Sequence, residues 1–289
     1  MMSGQTGPVC VVLLALFVLW YVGAVFMNAP TQIDRYERAD QAWTTGQLIE
    51  DTLAQDRPIL PAPHQVAVEM YKTIFAIKIT SKRSLVYHSW VTLSSTLLGF
   101  GIGTLLGVLL AVGIVHVMTL EKSLMPWVIS SQTIPILAIA PMIIVVLGAI
   151  GIKGLVPKAV ISTYLCFFPV TISMVKGLRS PQVIQLDLMR TYNASKWQTF
   201  WQLRLPSAMP YLFASLKVAI AISLVGAIVG ELPTGAQAGL GARLLAGSYY
   251  GQTIQIWSAL LTAAFVAALL VVIVGWIERR VLVRMGVKA

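Results

Sequence analysis

The sequence predicts an all-α integral membrane protein with six transmembrane helices, and three observations carry that prediction. Hydrophobic residues make up 57% of the 289-residue chain and charged residues 11%, with a mean hydropathy of +0.80, a balance outside the range of soluble domains. Apolar runs recur along the chain, and about twenty residues rising about 1.5 Å each are enough to cross a hydrocarbon core of about 30 Å. The cations gather near the ends of those runs, as the positive-inside rule expects, so the net charge of +10 speaks for a membrane and against nucleic acid as a partner. Cys10 and Cys166 both lie inside apolar runs and make no disulfide framework, and no residue set stands at metal-ligand spacing.

The first span is Pro8 to Met27, twenty residues without a charge. It has no basic leader before it and is long for the apolar core of a signal peptide, so an uncleaved anchor is expected. Asn28 to Ala67 carries six acids against three arginines, with prolines at Pro58, Pro61 and Pro63, and reads as an external loop. Val66 to Ile79 then sets Val66, Met70, Ile74 and Ile77 among Glu69, Lys72 and Lys78, the pattern of a helix lying in the membrane interface. The count of spans puts Lys72, Lys78, Lys82 and Arg83 on the outer side, against the positive-inside preference.

The second span, Trp90 to Val117, carries Gly99, Gly103 and Gly107 four apart on one helix face, with Gly101 and Gly113 beside them. Such a face lets a neighbouring backbone approach closely where no hydrophobic force drives helices together. A third span, Trp127 to Gly148, is expected to be interrupted at Pro135 and Pro141, with Ser130, Ser131, Gln132 and Thr133 turned away from lipid. Lys153 and Lys158 flank an outer turn before the fourth span, Val156 to Val175, which Pro169 should break. The fifth span, Tyr211 to Gly230, ends at Glu231. Leu232 to Trp257 is too rich in glycine and polar residues to span and is expected to line the outer mouth of a pathway. Ser258 to Ile277 is the sixth span, followed by Glu278, Arg279, Arg280, Arg284 and Lys288 as a basic inner tail.

Between spans four and five lies the segment that organises the chain. From Lys176 to Pro210 there are five cations against one acid, Asp187, which assigns this loop to the inner side. It reads as two short helices joined at Asn193, the second stopped by Pro206 and Pro210 before the next span. Asp187, Leu188 and Met189, then Asn193, then Leu203 to Pro206 stand at the spacing of the coupling loop of ATP-binding-cassette (ABC) importer permeases: Glu-Ala-Ala, three residues, Gly, nine residues, Ile-x-Leu-Pro. Asp187 takes the place of the Glu, Leu188 and Met189 those of the two alanines, and Asn193 that of the glycine, for which Asn is the best non-glycine substitute. On these residues, and on Ile134-Pro135, Ala140-Pro141 and the outer Gly239-Leu240-Gly241, the chain from about Leu85 onward resembles that family. Within it the chain looks most like permeases for sulfonates, nitrate, and thiamin- or pyrimidine-type precursors.

The resemblance implies the type I ABC importer permease fold with a cytoplasmic coupling helix. Residues 1–84 would form an N-terminal anchor, an acidic periplasmic loop and the interfacial helix, and residues 85–289 the core permease domain with the coupling loop at 177–210. It implies a multi-pass protein of the bacterial inner membrane with both termini cytoplasmic. Its partners would be two cytoplasmic ABC ATPase subunits, a second permease copy, identical or related, and a periplasmic substrate-binding protein that delivers a small organic solute. ATP and Mg would sit on the partner ATPase, with no cofactor in this chain, which has no glycine loop of the phosphate-cradling kind. Coupling to the ATPase would fall to Asp187, Leu188, Met189, Arg190, Asn193, Ala194, Ser195, Leu205 and Pro206.

Gln132, Thr133, Ser223, Glu231, Thr234 and Gln237 are expected to line the pathway, with Glu231 either facing it or bridging Arg243 or another cation. No catalytic residue is expected: His64, His88 and His116 are far apart, and no nucleophile has an adjacent base. Two other classes remain in view. An ion-gradient transporter would carry internal repeats and acids within its spans. An ABC exporter or flippase would respond to its cargo without a binding protein.

Overall fold

The computed structural model describes residues 6–233 and 238–286. Among them the chain is helical, with no strand: α1 Thr6–Arg38, α2 Thr45–Leu53, α3 Pro63–Tyr71, α4 Leu85–His116, α5 Met118–Ser130, α6 Ile136–Ala149, α7 Leu155–Leu178, α8 Val183–Thr191, α9 Lys196–Thr199, α10 Leu205–Glu231, α11 Leu240–Tyr249 and α12 Thr253–Arg284. Five helices are long and apolar enough to cross a membrane: α1, α4, α7, the continuous run Lys196–Glu231, and α12. Among the described residues a sixth crossing is available as a bent pair, in which the helix from Met118 to Thr133 meets α6 at 101°.

Several boundaries differ from those the sequence predicts, for identifiable reasons. The third span breaks once, at Ser131–Pro135, where Pro135 caps α6, whereas Pro141 lies within α6. Pro169 lies inside α7, which runs unbroken from Leu155 to Leu178. Pro206 and Pro210 do not stop the second coupling helix. A π-turn over Phe200–Arg204, in which the Leu205 N–H reaches back to Phe200 O, widens the helix just ahead of Pro206 and makes room for a ring that lacks an N–H. The run therefore passes straight into the fifth span. The external loop is largely helical as well, because α1 continues through Pro30 to Arg38 and α2 follows, its Thr44 cap bonded to Gln47 N. The interfacial segment forms α3 and a further π-turn over Lys72–Ala76.

The chain divides into two compact units, the described residues up to His88 together with Arg243–Thr262, and Ser89–Ala242 together with the described residues from Ala263 onward. In the second unit α7 and α10 form the centre: 44% of the apolar window is buried in each, against 6% in α1 of the other unit. Their seam is made of small residues. Gly226 and Gly230 of α10 face Ser162 and Lys158 of α7, and Gly177 of α7 lies so close to α10 that an added Cβ would meet Ala208 Cα at 2.9 Å. Gly99, Gly103 and Gly107 of α4 pack against α7 as well; a Cβ at Gly103 would meet Cys166 Cβ at 2.8 Å, and one at Gly107 would meet Phe167 O at 2.9 Å. Gly101 points into open space.

In the first unit the polar residues that follow the apolar run of α1 are covered by the chain itself. Asn28 is fully buried, accepts hydrogen bonds from Ile59 N at 2.7 Å and Leu60 N at 3.2 Å, and donates to Leu60 O at 2.8 Å. Gln55 donates to Gln32 at 3.0 Å and Tyr36 donates to Asp51. Arg243 lies 3.9 Å from Glu69. Burial pushes its guanidinium below the usual arginine range, Glu69 pulls it back up, and nearby Arg83 lowers it further.

Candidate functional site

Two sites in the second unit carry the residues singled out by the sequence. The first is the segment from α7 to α10. α8 opens at Gln182, whose N–H donates to the Gln185 side chain at 2.9 Å. It closes in a motif that satisfies its last carbonyls, with Asn193 N donating to Arg190 O and Ala194 N to Met189 O, each at 2.9 Å. That motif requires a left-handed residue, and Asn193 supplies it with φ +51°. Ser195 then caps α9: it accepts from Gln198 N at 3.2 Å while the Gln198 side chain accepts from Ser195 N at 2.8 Å. The joint between the two short helices thus has a hydrogen-bonded partner on each side.

α8 presents an apolar edge beside a charged one. Ile184 is 73% exposed and Leu188 56%, with Val183 and Tyr192 also exposed, whereas Met189 is partly covered. Asp187 and Arg190 form a solvent-exposed pair at 3.0 Å, worth little energetically but fixing a charged edge beside the apolar one. The segment is tied to the bundle at both ends. Arg204 donates to Leu178 O at 3.1 Å, and Arg179 pairs with Glu121 of α5 at 2.8 Å. Beneath it lies a core of Ala111, Ile114, Met174, Val175, Leu178 and Ala208, against which Leu205 and Phe200 pack. The residues on either side of α8 are thus bonded to or packed against α4, α5, α7 and α10.

The second site lies at the other end of α10. Glu231 is fully buried, and its carboxylate accepts hydrogen bonds from Thr92 Oγ1 of α4 at 2.9 and 3.0 Å, from Lys158 Nζ of α7 at 3.3 Å, and from Gly241 N of α11 at 2.9 Å. Lys158 also donates to Ala238 O at 3.0 Å, and Leu240 N donates to Thr92 Oγ1 at 2.8 Å. A single carboxylate thus knots three helices to the segment Ala238–Gly241. Gly239 has φ +127°, and a Cβ there would overlap the carboxylate, while one at Gly241 would meet Glu231 Cβ at 2.8 Å. Only glycine fits either position.

The expected pathway residues are not gathered in one place. Gln132 and Thr133 are exposed at the break between α5 and α6, where Thr133 donates to Ser130 O at 2.7 Å and Tyr164 of α7 donates to Ser131 O. Ser223 is buried in the α7–α10 seam, its carbonyl accepting from Ser162 Oγ at 2.9 Å, and faces no open space. Thr234 and Gln237 lie outside the described residues. Glu231 bridges Lys158, not Arg243, which instead pairs with Glu69. The sequence predicts Lys158 at the flank of an outer turn. The helix begins three residues before it and turns it inward to 9% exposure. The sequence does not mark Thr92, because it is one of five hydroxyl residues in Ser89–Thr96 and nothing local says which of them meets a carboxylate, nor does it mark Gly177, Gly226 and Gly230, which the glycine count of α4 overshadows.

The chain is similar to known transport permeases. The family described as "Binding-protein-dependent transport system inner membrane component" matches residues 103–287. The riboflavin transport system permease protein RibX of Chloroflexus aurantiacus is 33% identical over 221 residues, covering 76% of this chain and 78% of that protein. The formylaminopyrimidine transport permease protein ThiX of Halalkalibacterium halodurans is 31% identical over 183 residues, covering 63% of this chain and 68% of that protein. Among solved structures, a chain of the MetNI methionine ABC transporter in an inward-facing form has a TM-score of 0.54 at 22% identity, covering 68% of this chain and 95% of that one. That likeness extends to the fold of the permease. The coupling-loop spacing, the helical bundle around α7 and α10, and the match over residues 103–287 lead to one conclusion: the chain belongs to the binding-protein-dependent inner membrane component family, as a permease subunit of an ABC importer.

Proposed function

We propose that this chain forms half of the translocation pathway of an importer for a small organic solute, paired with a second permease copy and driven by two cytoplasmic ATPase subunits docked on α8. The observation that carries the coupling role is the exposed apolar edge of α8, Ile184 and Leu188, on a helix fixed at both ends and bonded into the bundle through Arg204 and Arg179. An edge of that kind fits a cleft on a partner, and its rigid attachment makes it a lever. Closure of the two ATPases on ATP would draw the two copies of α8 together and swing the permeases between inward- and outward-facing states.

The excess of Lys176, Arg179, Arg190, Lys196 and Arg204 supports a cytoplasmic side for α8, with Arg279, Arg280 and Arg284 on the same side. The cargo class is a heteroaromatic precursor or a small organic anion such as a sulfonate or a nitrate-like ion. The heteroaromatic choice is supported by the cargo named for the riboflavin and formylaminopyrimidine permeases. Specificity would rest mainly with a periplasmic binding protein.

Reconstitution of the permease pair with its ATPase tests both parts. ATP hydrolysis should rise only when loaded binding protein is added, and Asn193→Trp should abolish that rise while membrane insertion persists. Full stimulation in Asn193→Trp would reject the coupling role of this joint, and equal stimulation without binding protein would reject delivery by one.

A further inference from the structure

We propose that α3 and the π-turn after it form an in-plane membrane anchor that binds anionic phospholipid. These residues precede the segment 103–287 that the family match covers. On the side facing its own unit, the helix buries Val66 and Thr73, with Met70 partly covered between them. The opposite side carries Val68, Tyr71 and Phe75, with Tyr71 65% and Phe75 74% exposed and their rings 5.5 Å apart. Ile79 continues the exposed apolar surface. Water would be a poor neighbour for this stripe, since large apolar side chains gain free energy when they leave it.

The level at which the helix starts identifies what lies beside it. Trp20 Nε1 of α1 donates to Pro61 O at 2.9 Å, and the Tyr21 hydroxyl lies 3.2 Å from His64 Nδ1, so the start of α3 is pinned to α1 at Trp20 and Tyr21. Tyr21 stands six residues before Met27, the end of the uncharged run of α1. That places the start of α3 about 9 Å inside that end, at about 1.5 Å per residue. A level about 5–10 Å below the end of an apolar run is where an in-plane amphipathic helix rests its apolar face.

The charge pattern selects the kind of lipid. Lys72, Lys78, Lys82 and Arg83 are all exposed, the first two interleaved with the stripe and the last two just after it, with no acid between Lys72 and Arg83. An apolar stripe at boundary depth with cations beside it is matched by acyl chains below and phosphodiester headgroups above. A protein occupant at the same place would leave these cations facing an unspecified surface, whereas anionic phospholipid answers both features at once.

The test uses the full chain with Cys10 and Cys166 replaced by alanine, Phe75→Cys carrying a nitroxide, and reconstitution into phosphatidylcholine alone or mixed with phosphatidylglycerol. In the mixed vesicles the label should be more accessible to oxygen than to a water-soluble nickel chelate, and this depth should diminish in phosphatidylcholine alone. Combining Lys72→Glu, Lys78→Glu and Lys82→Glu should abolish the difference between the two lipids. A label open to the nickel chelate in both vesicles would overturn the anchor. Protection from both reagents would overturn it in favour of a protein covering this face. Equal depth in both lipids would overturn the requirement for anionic headgroups. A second label at Val68→Cys should follow the first, so that misfolding of one variant cannot decide the outcome.

Discussion

Lys158 Nζ stands 3.3 Å from Glu231 Oε1 inside the second unit, an ion pair that joins α7 to α10 around a carboxylate with no exposed surface. Removing one partner leaves the other charged, buried and uncompensated, which costs about 3–5 kcal/mol. Glu231→Gln and Lys158→Met should each lower the thermal midpoint of the purified permease. The double variant should recover part of the loss, because it removes both charges together. A double-mutant cycle by thermal unfolding in detergent reads this directly, and additive losses would show that the two residues are not coupled.

The α4–α7 seam distinguishes glycines that look alike in sequence. Gly103 has no room for a side chain, whereas Gly101, two residues away, meets nothing within 4 Å. Gly103→Leu should destabilise the bundle by about 1–3 kcal/mol or prevent its assembly through overpacking. Gly101→Ala should be neutral or stabilising by about 0.5–1 kcal/mol, since alanine restricts a helix less unfavourably than glycine. Expression level and thermal midpoint of the two variants, compared side by side, check the contrast.

Asn193 is a residue whose backbone decides its tolerance to change. With φ +51°, Asn193→Gly should hold or slightly raise stability and keep transport coupled. Asn193→Val should lose about 1–3 kcal/mol locally, since a β-branched residue resists the left-handed region. Coupling efficiency, measured as cargo transported per ATP hydrolysed, should fall only in the valine variant.

The exposed edge of α8 predicts a binding defect without a folding defect. Ile184→Asp together with Leu188→Asp should leave thermal stability nearly unchanged, because both side chains already meet solvent. Copurification of the ATPase subunit should drop at least tenfold, the equivalent of about 1.4 kcal/mol of lost docking energy. Undiminished copurification would move the docking surface elsewhere on the segment.

The sequence by itself determined the membrane class, the pair of short helices joined at Asn193 and the family, because each is written in local composition or in fixed spacing. A run without charge must leave water wherever the rest of the chain goes, and the joint at Asn193 needs only its own neighbours to form. Proline misled locally. Pro135 opens α6 after the break, whereas Pro141, Pro169 and Pro210 lie within helices. A proline's effect depends on whether neighbouring turns and packing satisfy the carbonyl it frees, and single-residue rules cannot see that. The tertiary structure alone decided the partner of Glu231. Arg243 is nearer in sequence, but Lys158, 73 residues away, is the cation that α7 carries to the carboxylate. Thr92 comes from 139 residues away. Their meeting depends on small residues that let α4, α7 and α10 pack closely, a three-dimensional condition that no stretch of the chain states on its own.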